Sequence, residues 1–136
     1  MYVIKAKKHI QEQLRLENGA GEPLELTVDL WIDDVLHQYN KLRLMLGEAQ
    51  HELQNDPHSE KAQASYGAVL VTFLELIFGT ENVEKLLAFY ANRYTDLLED
   101  VAPFIVEVIQ PKVTAAIQTK AQNLKKMAQK ARKARR

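Results

Sequence analysis

The 136-residue chain contains no cysteine, which excludes a disulfide framework, a thiolate metal site and a thiol nucleophile, and fits a reducing cytoplasm. It also lacks any apolar run close to the roughly 18 to 20 residues that a membrane-spanning helix needs. The first residues, MYVIKAKKHIQEQ, place lysines after a short apolar run and offer no small-residue cleavage site, so they do not read as a secretory signal. Phosphate loops and dinucleotide fingerprints are missing. The one glycine-rich piece, NGAGEP, has neither the lysine nor the following helix that would make it a phosphate cradle. No Gly-x-Ser-x-Gly elbow occurs either. These absences point away from an enzyme.

The histidines do not fill the gap. His51 opens HELQN, which begins like the zinc helix H-E-x-x-H but puts Asn55 where the second ligand must stand. His9, His37 and His58 share no ligand spacing with it, so no metal and no cofactor is expected. Asp33 and Asp34 look like a carboxylate pair, but neighbours on a helix point about 100° apart and do not easily flank one substrate bond. Negative charge in a first helical turn, where the helix dipole favours it, explains them more simply.

What the chain does have is a hydrophobic content of 46% with 26% charged residues, ordinary for one soluble globular domain. Its formal net charge of zero hides an asymmetry. The final stretch, KAQNLKKMAQKARKARR, carries Lys120, Lys125, Lys126, Lys130, Arg132, Lys133, Arg135 and Arg136 with no acid, which is eight of the 18 basic residues. An acidic body over 1–119, read as a single globular domain, therefore precedes a basic tail over 120–136 that is expected to be helical or disordered. That tail could neutralise phosphates. It contains no aromatic residue to stack on bases, and terminal charge runs are commonly solvated, so nucleic acid is the less favoured partner.

Periodicity predicts a mainly α-helical α+β fold. Leu24, Leu26, Val28 and Leu30 alternate with polar residues, and Ile10, Leu14 and Leu16 keep the same period of two, so a β-hairpin is expected over about residues 10–30, turning at Asn18-Gly19. Tyr2, Ile4 and Ala6 alternate as well, without deciding whether they pair. From Trp31 the period becomes helical: Ile32, Val35, Leu36, Tyr39, Leu42, Leu46, Ala49 and Leu53 form one stripe, predicting a helix over about 31–54. Asp56 as cap and Pro57 as first residue predict a second helix over about 57–78. Its half from Tyr66 to Phe78 is apolar almost all round and must be covered on most sides. Gly79 then ends it and Thr80 caps a third helix, whose face holds Val83, Leu86, Leu87, Tyr90, Tyr94, Leu97 and Leu98. Pro103 reads as the start of a fourth helix, and Pro111 as a kink or break near Ile109.

The stretch FGTENVEKLLAFYANRYTDLLEDVAPFIVEVIQPKV, Phe78 to Val113, resembles the phage tail assembly chaperones encoded by siphophages and prophages of Gram-positive bacteria. The resemblance rests on Phe78-Gly79, on VEKLLAFYANRY from Val83 to Tyr94, on Leu97-Leu98, and on Pro103 and Pro111 flanking FIVEVIQ. The order of hairpin, helices and Lys-rich end is also similar. The resemblance implies a non-enzymatic protein of the bacterial host cytoplasm, absent from the mature virion. Such a protein binds the tape measure protein and keeps it soluble until tail tube subunits polymerise around it. It transfers no catalytic residues, and family members are often made in a second, longer frameshifted form.

The residues themselves suggest where a client could dock. Tyr66, Phe73, Phe78, Phe89, Tyr90, Tyr94 and Phe104 could supply apolar anchors at helical spacing, though most belong in a core. Those exposed among Phe89, Tyr90, Tyr94, Phe104 and Val108 are the candidate contacts for a client or a second copy of the chain. Two alternatives remain open at this stage: a small nucleic-acid-associated regulator using the basic tail, and a structural virion subunit.

Overall fold

The alternation over residues 10–30 folds as an antiparallel hairpin, β1 (Ile10–Leu16) and β2 (Leu24–Leu30), with Ile10 opposite Leu30 and Leu16 opposite Leu24. The computed structural model of the chain describes residues 1–4, 9–17, 21–35 and 37–134. The expected turn at Asn18-Gly19, together with Ala6 and Leu36, lies outside the described residues. On β2 the inward residues Leu26, Val28 and Leu30 are buried, whereas Ile10, Leu14 and Leu16 of β1 are only half-buried. β2 is accordingly the strand against which helices pack.

Residues 32–55 keep their apolar stripe on the buried side but form two helices, α1 (Ile32–Val35) and α2 (Tyr39–Asn55), where one had been expected. Bonds spanning three residues, Asp34 N–H to Trp31 O (3.0 Å) and Gln38 N–H to Val35 O (3.2 Å), tighten the chain and end α1 after one turn. α3 (Glu60–Phe78) also begins later than the proline suggested. Ser59 N–H bonds to Asp56 O (3.1 Å), closing a turn over Pro57 and His58, and the Ser59 hydroxyl becomes the cap by accepting from Ala62 N–H (3.1 Å). The apolar half of α3 is covered as its composition requires: Tyr66, Gly67, Leu70, Phe73, Leu74, Ile77 and Phe78 are buried. α2, α4 (Thr80–Phe89) and β2 pack around it.

Gly79 joins α3 to α4 at φ +85°, ψ 155°, a conformation that a residue with a Cβ rarely adopts. Its carbonyl already accepts the first α4 bond, from Val83 N–H (3.1 Å), so Gly79 stands in the cap position and Thr80 is inside the helix, contrary to expectation. Asn82 fastens this corner, donating from Nδ2 both to Phe78 O (2.9 Å) and to Thr27 O of β2 (3.0 Å).

The third expected helix is interrupted where its spacing gave no sign. α4 stops at Phe89, and α5 (Tyr94–Phe104) starts after Ala91 and Asn92, both at positive φ (50° and 60°). Asn92 N–H reaches back to Leu87 O (2.9 Å) and Ala91 N–H to Ala88 O (3.2 Å), the paired bonds of a Schellman end.

The prolines behave differently from what local reading suggests. Pro103 lies inside α5 and does not open a helix; the irregularity expected near Ile109 takes the form of a π-helical turn (Ile105–Ile109), not a break, and carries the chain into α6 (Gln110–Ala134), with Gln110 N–H bonding to Ile105 O. Pro103 and Pro111 are exposed, as is Glu99, whose carbonyl would receive a donor from position 103 in an α-helix. The π turn has a second effect. Val101, Ile105, Ile109 and Val113 are all buried at steps of four, a row that drifts about 40° per step in an α-helix. A wider turn offsets that drift and keeps the row aligned.

By its internal contacts the chain divides into two compact units, residues 1–100 and 101–136. The first holds 9 basic and 17 acidic residues, a net charge of −8; the second holds 9 basic residues against Glu107 alone, a net of +8. The basic run takes the helical of the two forms expected for it. As far as Ala134 it continues α6.

Candidate interaction surface

Of the five residues proposed from sequence as contacts, three belong to the first unit. The Phe89 and Tyr90 rings meet edge to face at 5.3 Å. Phe89 is half-buried, while Tyr90 is buried and its hydroxyl donates to Asp100 Oδ2 at 2.8 Å. Burial and then that bond to Asp100 hold the Tyr90 phenol well above the usual tyrosine range. Arg93, the residue that leads into α5, donates from Nε to Tyr90 O (3.0 Å) and lies 3.9 Å from Asp96. Tyr90 therefore ties the end of α4 to α5, which is a structural task.

Tyr94 is half-buried and lies over Gly67 of α3, where an added Cβ would stand 3.3 Å from Tyr94 Cε2. The absence of a side chain at Gly67 makes room for the ring. Phe104 and Val108 belong to the second unit, four residues apart and both half-buried.

The most exposed large apolar side chains are others. In the first unit they are Trp31, Leu44 and Met45, together with Met1 to Ile4; in the second they are Val106, Leu124 (63% exposed) and Met127 (65%). Leu44 and Met45 stand outside the buried stripe of α2, which is the sequence signal that could have identified them. Met127 falls on the face of Leu124 one turn further on, among lysines that drew attention to charge instead.

From Thr114 onward no described residue is buried. Ala116, Ile117, Lys120 and Asn123 are half-buried and the other residues as far as Lys133 are exposed. At about 100° per residue, Ile117, Ala121, Leu124 and Ala128 share one face of α6, with Met127 at its edge. Lys125 and Arg132, seven residues apart, flank this face on one side and Lys130 on the other. The exposed Lys126 and Lys133 complete the polar surface. Arg135 and Arg136 lie outside the described residues. The result is a basic amphipathic helix with a narrow apolar stripe.

The histidines stay apart. His9 Nε2 lies 2.8 Å from Asp29 and its ring packs on Trp31 at 4.3 Å, while His37, His51 and His58 are exposed. Among the described residues no three His, Asp or Glu side chains are grouped as metal ligands, and no helix is long and apolar enough to cross a membrane. Comparison of the chain with protein-family models, with curated proteins and with solved structures finds no match.

Proposed function

We propose that this protein is a non-enzymatic assembly chaperone of the phage tail type, which holds a long helical client, the tape measure protein, in soluble form until tail tube subunits enclose it. The observation that carries the reading is α6. Its residues beyond Val113 are helical yet unburied, and they present Leu124 and Met127 to solvent beside a run of cations. A helix that exposes apolar side chains on an otherwise charged surface is suited to covering another helix reversibly. The pattern from Phe78 to Val113 supplies the client's identity in this reading.

A tape measure chain exposes apolar helical stripes before the tube surrounds it, so it aggregates when made alone. The protein acts in the host cytoplasm, contacts tape measure and incoming tube subunits, and leaves before the virion is complete. The test is the soluble fraction of the tape measure protein encoded beside this chain, produced with and without it in one cell. A rise in the soluble fraction is expected; no change, with this chain folded and abundant, overturns the reading. The basic run favours one second reading, a nucleic-acid-associated regulator, whose signature is retention on duplex DNA that falls steeply with salt.

A further inference from the structure

We infer that the stripe Ile117, Ala121, Leu124, Met127 and Ala128 of α6 is the docking surface for an acidic amphipathic helix of another protein, an inference that rests on the chaperone reading and specifies the chemistry of the client. The surface combines two features. Leu124 and Met127 are exposed at one-turn spacing; Lys125 and Arg132 flank the stripe on one side and Lys130 stands beyond Met127 on the other, with Lys126 and Lys133 on the opposite face and no acid after Glu107. An apolar stripe needs an apolar stripe to cover it, and the flanking charge sets the sign of its partner's flanks.

The other occupants fit less well. Pairing of α6 with the α6 of a second copy would place two strongly basic helices side by side, which like-charge repulsion opposes. A membrane surface calls for a broad apolar face with aromatic anchors, whereas this face is narrowed by Ala121 and Ala128 and has no aromatic residue. Duplex DNA would use the cations but leave Leu124 and Met127 without a role. An acidic helix with leucine or isoleucine along one face uses both features at once.

The test uses the full chain and a labelled synthetic helix of about four heptads, with Leu and Ile on one face and Glu on its flanks. A control peptide has Lys in place of every Glu. Fluorescence anisotropy should show binding of the Glu peptide only. Leu124→Gln with Met127→Gln should weaken binding about tenfold without changing the circular dichroism spectrum, since both residues are exposed. Raising ionic strength from about 0.1 M to 1 M should weaken but not abolish binding by the unmodified chain.

Three results overturn the inference: no binding of the Glu peptide, equal binding by the double variant, or tighter binding to duplex DNA or phosphatidylserine vesicles than to the Glu peptide. The double variant also separates this inference from the reading beneath it. Rescue of the tape measure protein that is unchanged by Leu124→Gln with Met127→Gln removes α6 as the dock and leaves the chaperone standing. Binding of the Glu peptide as described, with no rescue, removes the chaperone and leaves the dock.

Discussion

Ala91→Gly should stabilise the protein, although it deletes a methyl group and inserts the residue with the greatest freedom in the unfolded chain. Ala91 holds φ +50° at the end of α4, where its N–H bonds to Ala88 O and that of Asn92 bonds to Leu87 O. A left-handed residue with a Cβ is disfavoured by about 1–2 kcal/mol, and glycine is not. Against that gain stands the added entropy of glycine in the unfolded chain, about 0.4–1 kcal/mol. Ala91 is exposed, so little packing is lost. The net expectation is about 0.5–1 kcal/mol of stabilisation, a rise in Tm of about 2–4 °C for a chain of this size. Differential scanning calorimetry should show it, with Asn92→Gly as control: asparagine tolerates the left-handed region, so its gain should be smaller. An unchanged or lower Tm for Ala91→Gly would refute the strain argument.

Tyr39 is 2% exposed and its hydroxyl is buried without a hydrogen-bond partner, so Tyr39→Phe should raise the urea midpoint, by about 1 kcal/mol of stability. Tyr90 titrates above its unfolded value because of burial and the bond to Asp100, so its contribution is complete below about pH 10 and is lost as pH rises toward the folded value. Tyr90→Phe should therefore be less stable than the parent by about 1 kcal/mol at pH 7, with the gap closing in urea titrations above pH 10. Removing residues after Leu124 should shift stability by no more than about 0.5 kcal/mol, because no described residue there is buried; a large fall in Tm would mean that this part of α6 supports the fold.

The sequence made the elements more legible than their ends. Alternation, strict in β2 and broken only at Glu12 in β1, located the hairpin over residues 10–30, and the stripe from Ile32 to Leu53 marked the buried faces of α1 and α2, because burial on one side leaves a periodic trace. The breaks left weaker traces. Tyr90 and Tyr94 are four apart, so helical spacing runs straight through the Schellman end at Ala91, and neither glycine nor proline stands there to mark it. Asp56 was read as the cap of α3, and Ser59 takes that place because the chain first turns over Pro57 and His58. Pro103 lies inside α5 where a helix start had been read, and near Ile109 the helix departs from α geometry in a π turn without breaking. Among the five candidate contacts only Tyr90 is buried, which the sequence could not tell because periodicity shows which residues share a face, not whether that face is covered. Tyr90 is buried, and Leu124 at an equally regular position is exposed.

The charge division also limits how α6 can choose a partner. With −8 on residues 1–100 and +8 on residues 101–136, every copy carries an acidic surface that competes for the cations of α6, and a net charge of zero supplies no long-range repulsion to keep copies apart. Charge alone therefore cannot make α6 prefer a client to the chain itself. Discrimination then rests on the apolar pair Leu124 and Met127, which a client's continuous helical stripe covers better than the exposed Leu44 and Met45 of the acidic unit, neighbours about 100° apart on α2. Salt should then separate the two interactions: self-association held by charge should disappear at high ionic strength, while client binding anchored by these side chains should persist in weakened form. Sedimentation of the full chain alone across the same salt range reads the first of these. If both fall together, charge carries the recognition and the apolar stripe does not.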